Sequence, residues 1–498
     1  MMTTINKIRF TIQSFRLSKP YAGLSLWLPL LVCSLVSCNK YLDKLPDNRV
    51  ELKTPEQVAQ MLVSAYPNFQ NIVFLELLSD NTGFRTPLIN RDTAQVSIFR
   101  FTDFSNDYGS RDNIWKGYYE SIAVANQALD ACKIDSTRFA YNRGEALLIR
   151  AYDHFMLVGL YAKPYNEGTA DSDMGIPYVQ EPVNDIQTKF HRNTVREVYQ
   201  LIEKDLLEGM RLVDDTKYQN PAYRFTKRAA FAFATSFYLA KKDYASVQRY
   251  SSLLFPGNTI NDYIRPYNTS YAMSENWAIL YGGASEKANI LLTSPADLIN
   301  NDLSNVRYGL NDSIYRALYL RPTASGVSKW AFILKSELAK KNYREEKYPL
   351  KEVLIGNGYA YYYSNRCILS TEDVLFNQAE SYIMQNQYDQ ALKLLNFWIS
   401  KRASNYNAAR HRLTLAKLTA YYPNNDTKTA LMNEMLWYKR LEFMQTGMRW
   451  YDIIRLDLPV THKDEYNKTF TLAPGSLQRQ LLLPFYAIIQ DGLQQNPR

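Results

Sequence analysis

Apolar residues recur three and four positions apart through most of the chain beyond residue 54. Val195, Val198, Leu201, Ile202 and Leu206 set one side of a helix against a core, and Ala391, Leu394, Leu395, Trp398 and Ile399 repeat the stripe. Helix starts are marked as well as faces. Thr54-Pro55-Glu56-Gln57 offers a cap, a proline at the first helical position and a reciprocal partner three residues on, and Thr194-Val-Arg-Glu197 is a second capping box. These signals predict helices from Thr54 through Ala65 and over 112–132, 143–161, 194–213, 226–241, 244–255, 371–386, 388–402 and 428–455. Strand-like runs are few and short, as at 288–293 and 359–363. The predicted class is mostly α, with long loops.

Two of the helical pairs resemble each other. With Tyr244 set on Tyr388, Thr235 meets Ala379, Tyr238 meets Tyr382 and Val247 meets Ala391. Small residues twelve positions apart, in paired helices joined by a turn before a tyrosine, fit a tetratricopeptide-like helix hairpin. Such hairpins bury their faces only by stacking on neighbours. The copies are 144 residues apart. The expected architecture is therefore a helix-hairpin scaffold interrupted by large loop-rich insertions, here 79–112 and 256–330.

Residues 1–37 carry Lys7, Arg9, Arg16 and Lys19, no acid, and an apolar run from Ala22 to Val36 broken by Pro29. That is the build of an export signal, and the run is short for a spanning helix, which needs about 20 residues. Leu35-Val36-Ser37-Cys38 resembles the bacterial lipobox, whose cysteine is acylated and heads the mature chain. The expected organisation is a lipoprotein signal peptide at 1–37, a lipid-anchored tether at 38–48 and a single α-helical binding domain at 49–498. Cleavage lowers the formal charge from +9 to +5. With no Lys/Arg tract interleaved with aromatics, nucleic acid is not an expected partner. Cys33 leaves with the signal and Cys38 takes the lipid, so Cys132 and Cys367 remain, as a pair or as two thiols. The four histidines show no metal-ligand spacing, and Asp171-Ser-Asp173 lacks the dense oxygen spacing of a calcium loop. No metal and no cofactor are expected.

Several segments then fall into a familiar order. They are Cys38-Asn-Lys-Tyr-Leu-Asp43, Leu77-Leu-Ser-Asp80-Asn81, Trp115 through Ile122 to Asn126, Arg150-Ala-Tyr-Asp-His-Phe155 and Gly175-Ile-Pro177. Asp373 to Ala379, Arg440 to Glu442 with Gly447, Arg449 and Arg455, and Leu483-Pro484 follow. Over nearly its whole mature length the chain resembles the SusD/RagB family of Bacteroidetes outer-membrane lipoproteins. Tyr438 and Thr446 depart from it, standing where the family often has Glu. The resemblance implies a tetratricopeptide-like scaffold held to the outer membrane by lipid and exposed at the cell surface. It implies binding of extracellular glycans, or of peptides in some branches, and delivery without chemistry to a SusC-type TonB-dependent transporter.

Aromatic residues make up 14% of the chain, 39 of them tyrosine, and their position decides what they mean. A sugar offers flat C–H faces and a rim of hydroxyls, so a binder needs aromatic planes beside amides, carboxylates or guanidinium groups. Aromatics in the helices (Tyr152, Phe155, Tyr199, Phe376, Tyr382, Trp398, Trp450) read as core. The insertions supply the candidates: Asn81, Phe84, Arg85 and Tyr108 in the first, Tyr271, Trp277 and Tyr308 in the second. Tyr271 and Trp277 stand in polar sequence with Asn268, Ser274 and Asn276, and Trp277 is the expected stacking platform. Phe99 and Phe101 fit a strand's buried face, and Tyr361-Tyr-Tyr363 a structural strand. Arg440 and Glu442 read as helix ion pairs, worth about a few tenths of a kcal/mol each. Three functions follow: glycan capture, peptide capture, or a lipid-anchored glycosidase. The last needs two carboxylates about 5–10 Å apart, which no local motif marks, and no Gly-x-Ser-x-Gly elbow occurs.

Overall fold

Thr54 caps the first helix of the body, and its side chain closes the predicted box with Gln57. The computed structural model describes residues 52–69, 71–85, 93–102, 111–183, 188–296, 306–337, 342–356 and 359–498. The signal peptide, the tether, Cys38 and Tyr108 lie outside the described residues. Helices of seven residues or more are α1 (Pro55–Leu62), α2 (Ile72–Leu78), α3 (Thr93–Phe99), α4 (Arg111–Ala131), α5 (Ala140–Tyr161), α6 (Val195–Leu212) and α7 (Lys227–Ala240). They continue with α8 (Tyr244–Leu254), α9 (Asp312–Tyr319), α10 (Thr371–Met384), α11 (Tyr388–Arg402), α12 (Leu415–Tyr421), α13 (Thr427–Glu442) and α14 (Met448–Arg455). The second capping box, Thr194 with Glu197, also forms; such a cap stabilises a helix by about 1 kcal/mol.

The helices stack in sequence: α4 on α5, α5 on α6, α7 on α8, then α10 against both α7 and α8 and onto α11 and α13. The predicted repeat is present down to its turns. Lys242 and Asn386, 144 residues apart, both take a φ of +62°. In each copy the next backbone N–H returns to the matching tyrosine carbonyl, Asp243 to Tyr238 at 2.9 Å and Gln387 to Tyr382 at 2.7 Å. The copies also touch, with Asn377 Nδ2 donating to Thr235 Oγ1 at 3.1 Å.

The predicted helix 428–455 is two helices. Gln445 (φ +60°) and Gly447 (φ +79°) turn the chain between α13 and α14. Gly447 N–H donates to Glu76 Oε1 at 2.8 Å, tying the break to α2. The charges flanking it are not surface pairs. Glu442 is buried and accepts Arg402 Nε and Nη2 at 2.7 and 2.9 Å and Trp398 Nε1 at 2.8 Å. Arg402 bonds in turn to Glu372 at 3.0 Å, and Glu372 pairs with buried Arg265. Removing one partner of such a pair costs about 3–5 kcal/mol, ten times the helix-surface figure. The reason is tertiary: α11, α13 and the second insertion close over these groups and exclude water.

Strands form antiparallel pairs among the described residues: β1 (Gly83–Phe84) with β3 (Tyr308–Gly309), β2 (Asn289–Thr293) with β8 (Arg366–Ser370), and β4 (Leu334–Glu337) with β5 (Asn342–Glu345). β6 (Lys351–Gly356) pairs with β7 (Tyr359–Tyr363) and β9 (Val460–Lys463) with β10 (Thr469–Leu472). Phe99 ends a helix, and Phe101 sits in a left-handed turn (φ +56°), so neither belongs to a strand. Cys132 and Cys367 are free thiols. Asp173 is held by Lys163 and Thr169, each at 2.6 Å, and Asp171 by Arg196 at 2.7 Å, which makes their loop a salt-bridged turn. No described helix is long and apolar enough to cross a membrane.

Candidate binding surface where the two insertions meet

The first insertion leaves α2 under tight control. Asp80 bridges Arg440 and Arg449, at 3.2 and 2.9 Å, and Asn81 lies between Glu76 (3.1 Å) and Arg440 (2.7 Å). Burial alone would raise the Asp80 pKa, but the two guanidinium groups reverse that and hold it well below the usual carboxylate range. So anchored, the chain runs into β1, which pairs with β3 of the second insertion: Gly83 faces Gly309 and Phe84 faces Tyr308. A Cβ on Gly83 would stand 2.5 Å from Asn311 Nδ2, whose amide donates to Phe84 O at 2.9 Å, so this close approach needs glycine. Arg85 Nη1 donates to Val306 O at 3.0 Å, and Arg307 N–H to Gln95 Oε1 at 2.8 Å. Contacts between residues more than two hundred positions apart thereby make the two insertions one structure.

At its centre is a stack of rings. Tyr308, fully buried, lies 3.7 Å from Phe99 at 6°; Phe99 lies 4.1 Å from His462; and His462 lies 4.7 Å from Phe101. His462 Nδ1 and Nε2 stand 2.7 and 2.8 Å from the carbonyls of Phe99 and Ser79. Burial pushes the His462 pKa below that of a free histidine, against the pull of those carbonyls and Asp80. Phe101 ends the stack half-buried, aimed there by its left-handed backbone. Around it lie half-buried Phe84 and Phe470, the Arg100 guanidinium 5.2 Å over Phe470 and bonded to Asp464 at 2.8 Å, and Tyr466, 79% exposed. Arg307 pairs with Glu465, which Tyr308 Oη also reaches at 3.3 Å. Aromatic faces beside arginine, lysine and carboxylate are the groups that hold a sugar's C–H face and hydroxyl rim. Both carboxylates here are engaged by arginines.

The structure thus brings together Asn81, Phe84, Arg85 and Tyr308 but changes the part most of them play. Asn81, Arg85 and Tyr308 are buried and build the platform from beneath; Phe84 keeps an open edge. Tyr271 and Trp277 are elsewhere and enclosed. Trp277 is 7% exposed, among Tyr267, Tyr271 and Tyr281 at 6.2–6.4 Å, and the Tyr271 hydroxyl bonds to Glu286. This cluster roofs the buried ions, with Arg265 4.3 Å from the Tyr281 ring and Arg402 4.6 Å from Tyr267. Their polar neighbour Asn268 is a clamp, donating to the Ser400 and Ala403 carbonyls at 2.7 and 2.9 Å at the end of α11. Sequence reasoning missed the β9–β10 hairpin, which supplies His462, Tyr466 and Phe470; the alternation Val460, His462, Asp464 was its signal. Among the described residues, the roomiest cavity of those characterised, about 310 Å³, lies apart, between Trp115 and Tyr119 of α4, Phe190 and Tyr486.

Comparison with known proteins agrees with this architecture. A family model described as starch-binding associating with outer membrane matches residues 40–239, and one described as SusD family matches residues 336–478. The chain belongs to the SusD family. Neither family description names a catalytic activity, and the first associates the family with the outer membrane. Among solved structures, a Bacteroides vulgatus protein with a provisional sugar-binding description superposes on this SusD-family chain with a TM-score of 0.67 at 19% identity, covering 90% of this chain and 99% of its own. A SusD superfamily protein from Bacteroides fragilis gives 0.66 at 16%, covering 89% and 99%. A SusD-like carbohydrate binding protein from Bacteroides vulgatus gives 0.64 at 15%, covering 88% and 97%. At these identities the likeness is one of fold. A search of curated proteins finds no match.

Proposed function

We propose that this SusD-family chain is a surface lipoprotein that captures extracellular oligo- or polysaccharide and hands it, unreacted, to a SusC-type TonB-dependent transporter. The convergence of both insertions and the β9–β10 hairpin on one aromatic, charge-lined surface carries this reading. Phe84, Phe101, Phe470 and Tyr466 offer ring faces, while Arg100 and Lys468 reach for hydroxyls. Acylation of Cys38, after removal of 1–37, would hold the body at 49–498 to the outer membrane through the 38–48 tether.

Binding is tested on purified protein with an oligosaccharide panel. Retention without product release is expected, and it should weaken at least about tenfold in Phe101→Ala, the loss of about 1.4 kcal/mol of stacking, with the melting temperature kept. Release of shorter sugars would replace capture with hydrolysis. Retention of peptides in place of sugars would move the chain to the peptide-binding branch. Unchanged retention in both Phe101→Ala and Tyr466→Ala would place the ligand elsewhere.

A further inference from the structure

The β6–β7 hairpin stands out from the rest of the surface. Its register places Lys351 and Val353 beside Tyr363 and Tyr361 on one face, and Glu352 and Leu354 beside Tyr362 and Ala360 on the other. Leu354, Ile355 and Tyr359 are 75%, 68% and 71% exposed at the end away from the body, and Val353, Tyr361 and Tyr362 are exposed behind them. A two-stranded ribbon in water normally keeps one face polar; this one carries exposed apolar side chains on both, with a single charge on each, Lys351 and Glu352, at the root. Among the described residues neither strand joins a third to widen the sheet. The ribbon is nonetheless firmly rooted. Tyr363 bridges to Ala296, whose N–H donates to Asn68 Oδ1 at 2.9 Å, and Asn365 Nδ2 donates to Tyr223 Oη at 2.9 Å and Gly282 O at 2.8 Å.

We propose that Leu354, Ile355 and Tyr359 of this hairpin enter the interfacial layer of a lipid bilayer, as a second contact beside the acylated Cys38. The proposal rests on the lipid anchoring put forward above. A partner protein docked on one face would leave the opposite face wet, whereas a lipid interface surrounds both. The order of side chains also matches. Leu354 and Ile355 at the end suit the acyl boundary, Tyr361 and Tyr362 behind them suit the headgroup level, and Lys351, 5.8 Å from the Tyr363 ring, closes the root. The chain length allows it: Cys38 and Leu52 can be at most about 50 Å apart, and the segment that follows carries Asn68, which accepts from Ala296 N–H, the bridge partner of Tyr363. The contact would orient the body on the membrane, where attachment at Cys38 alone fixes a single point.

The test uses the acylated protein in vesicles of phosphatidylcholine and phosphatidylglycerol, with a polarity-sensitive fluorophore on Leu354→Cys. Cys132→Ala and Cys367→Ala keep the label on the hairpin, although burial already pushes both thiols up to about 12. Expected are a blue shift, a several-fold gain in emission and quenching by brominated acyl chains. A label on Phe485→Cys, at a site equally exposed in water (69%), should show none of these. Adding Ile355→Asp to a protein labelled at Tyr359→Cys should abolish the shift. A protein that floats with vesicles yet keeps water-like emission overturns the hairpin contact alone; one that fails to float overturns the anchoring and the contact with it. Emission that shifts only with oligosaccharide, or only with a barrel protein present, makes the hairpin a ligand or protein surface and overturns the proposal.

Discussion

At the scale of the residue, the polar side chains that matter most are buried joints. Asp80 holds two arginines from α13 and α14 against the exit of α2. Asp80→Asn should cost about 3 kcal/mol at pH 7, because both guanidinium groups lose their counter-charge. The Asp80 pKa is depressed in the folded state, so its contribution is complete above about pH 4, where the unfolded group ionises, and fades as pH falls. Urea unfolding of the two proteins at pH 7 and again near pH 3 should show the gap closing. His154 makes a separate demand. Its ring is neutral, with Nδ1–H donating to Arg150 O at 2.8 Å and Nε2 accepting from Val179 N–H at 3.1 Å, and burial lowers its pKa to about 3. The unfolded histidine takes up a proton near pH 6.5 and the folded one does not, so stability is full above that point and declines toward pH 3. The slope reaches about 1.4 kcal/mol per pH unit. In His154→Gln the melting temperature should depend less on pH between 6 and 4.

Elements carry two further consequences. The break between α13 and α14 depends on Gly447, whose φ is +79° and whose added Cβ would stand 3.3 Å from two Leu75 side-chain atoms. Gly447→Ala should cost about 1–2 kcal/mol from backbone strain alone, read as a lower urea midpoint, and should loosen α14 from α2. In the second insertion, Trp277 belongs to the roof over Arg265, Glu372, Arg402 and Glu442. Trp277→Ala should lower stability by about 3–5 kcal/mol through cavity formation and leave oligosaccharide retention unchanged below the transition. Loss of retention without loss of stability would return Trp277 to the ligand surface. The contrast with Phe101, half-buried at the end of its stack, follows from burial, since both are aromatics in insertions.

At the scale of the molecule, stacked helix hairpins and buried ion pairs supply the cohesion, and among the described residues no disulfide contributes. A reducing agent should therefore leave the thermal midpoint where it is, and alkylation at buried Cys132 should wait for unfolding. A midpoint that drops on reduction would point to a Cys132–Cys367 bond. The same scaffold explains why the quoted motifs lie so far apart. Arg150 grips Asp205 at 2.7 and 3.0 Å, Asn126 at 2.9 Å and the Gln180 carbonyl at 2.8 Å, so one side chain joins α4, α5, α6 and the segment after Pro177.

Most helix positions, both predicted capping boxes, the repeated hairpin and the core aromatics were legible in the sequence, because each depends on neighbours within about four residues or on a fixed period. The left-handed turns at Lys242 and Asn386 follow from the same local register. Burial of Glu442 and Trp277 was not legible, because a charge or a ring on a helix or in a polar loop looks the same whether water or another element lies beyond it. The binding surface was readable only in part. Both insertions were indicated, but the pairing of Phe84 with Tyr308 and the arrival of His462 and Phe470 are contacts across hundreds of residues. The sequence determined the scaffold, since local hydrogen bonding and helical periodicity specify it. Tertiary structure decided which aromatics face solvent, because exposure belongs to the packed chain and to no single segment of it.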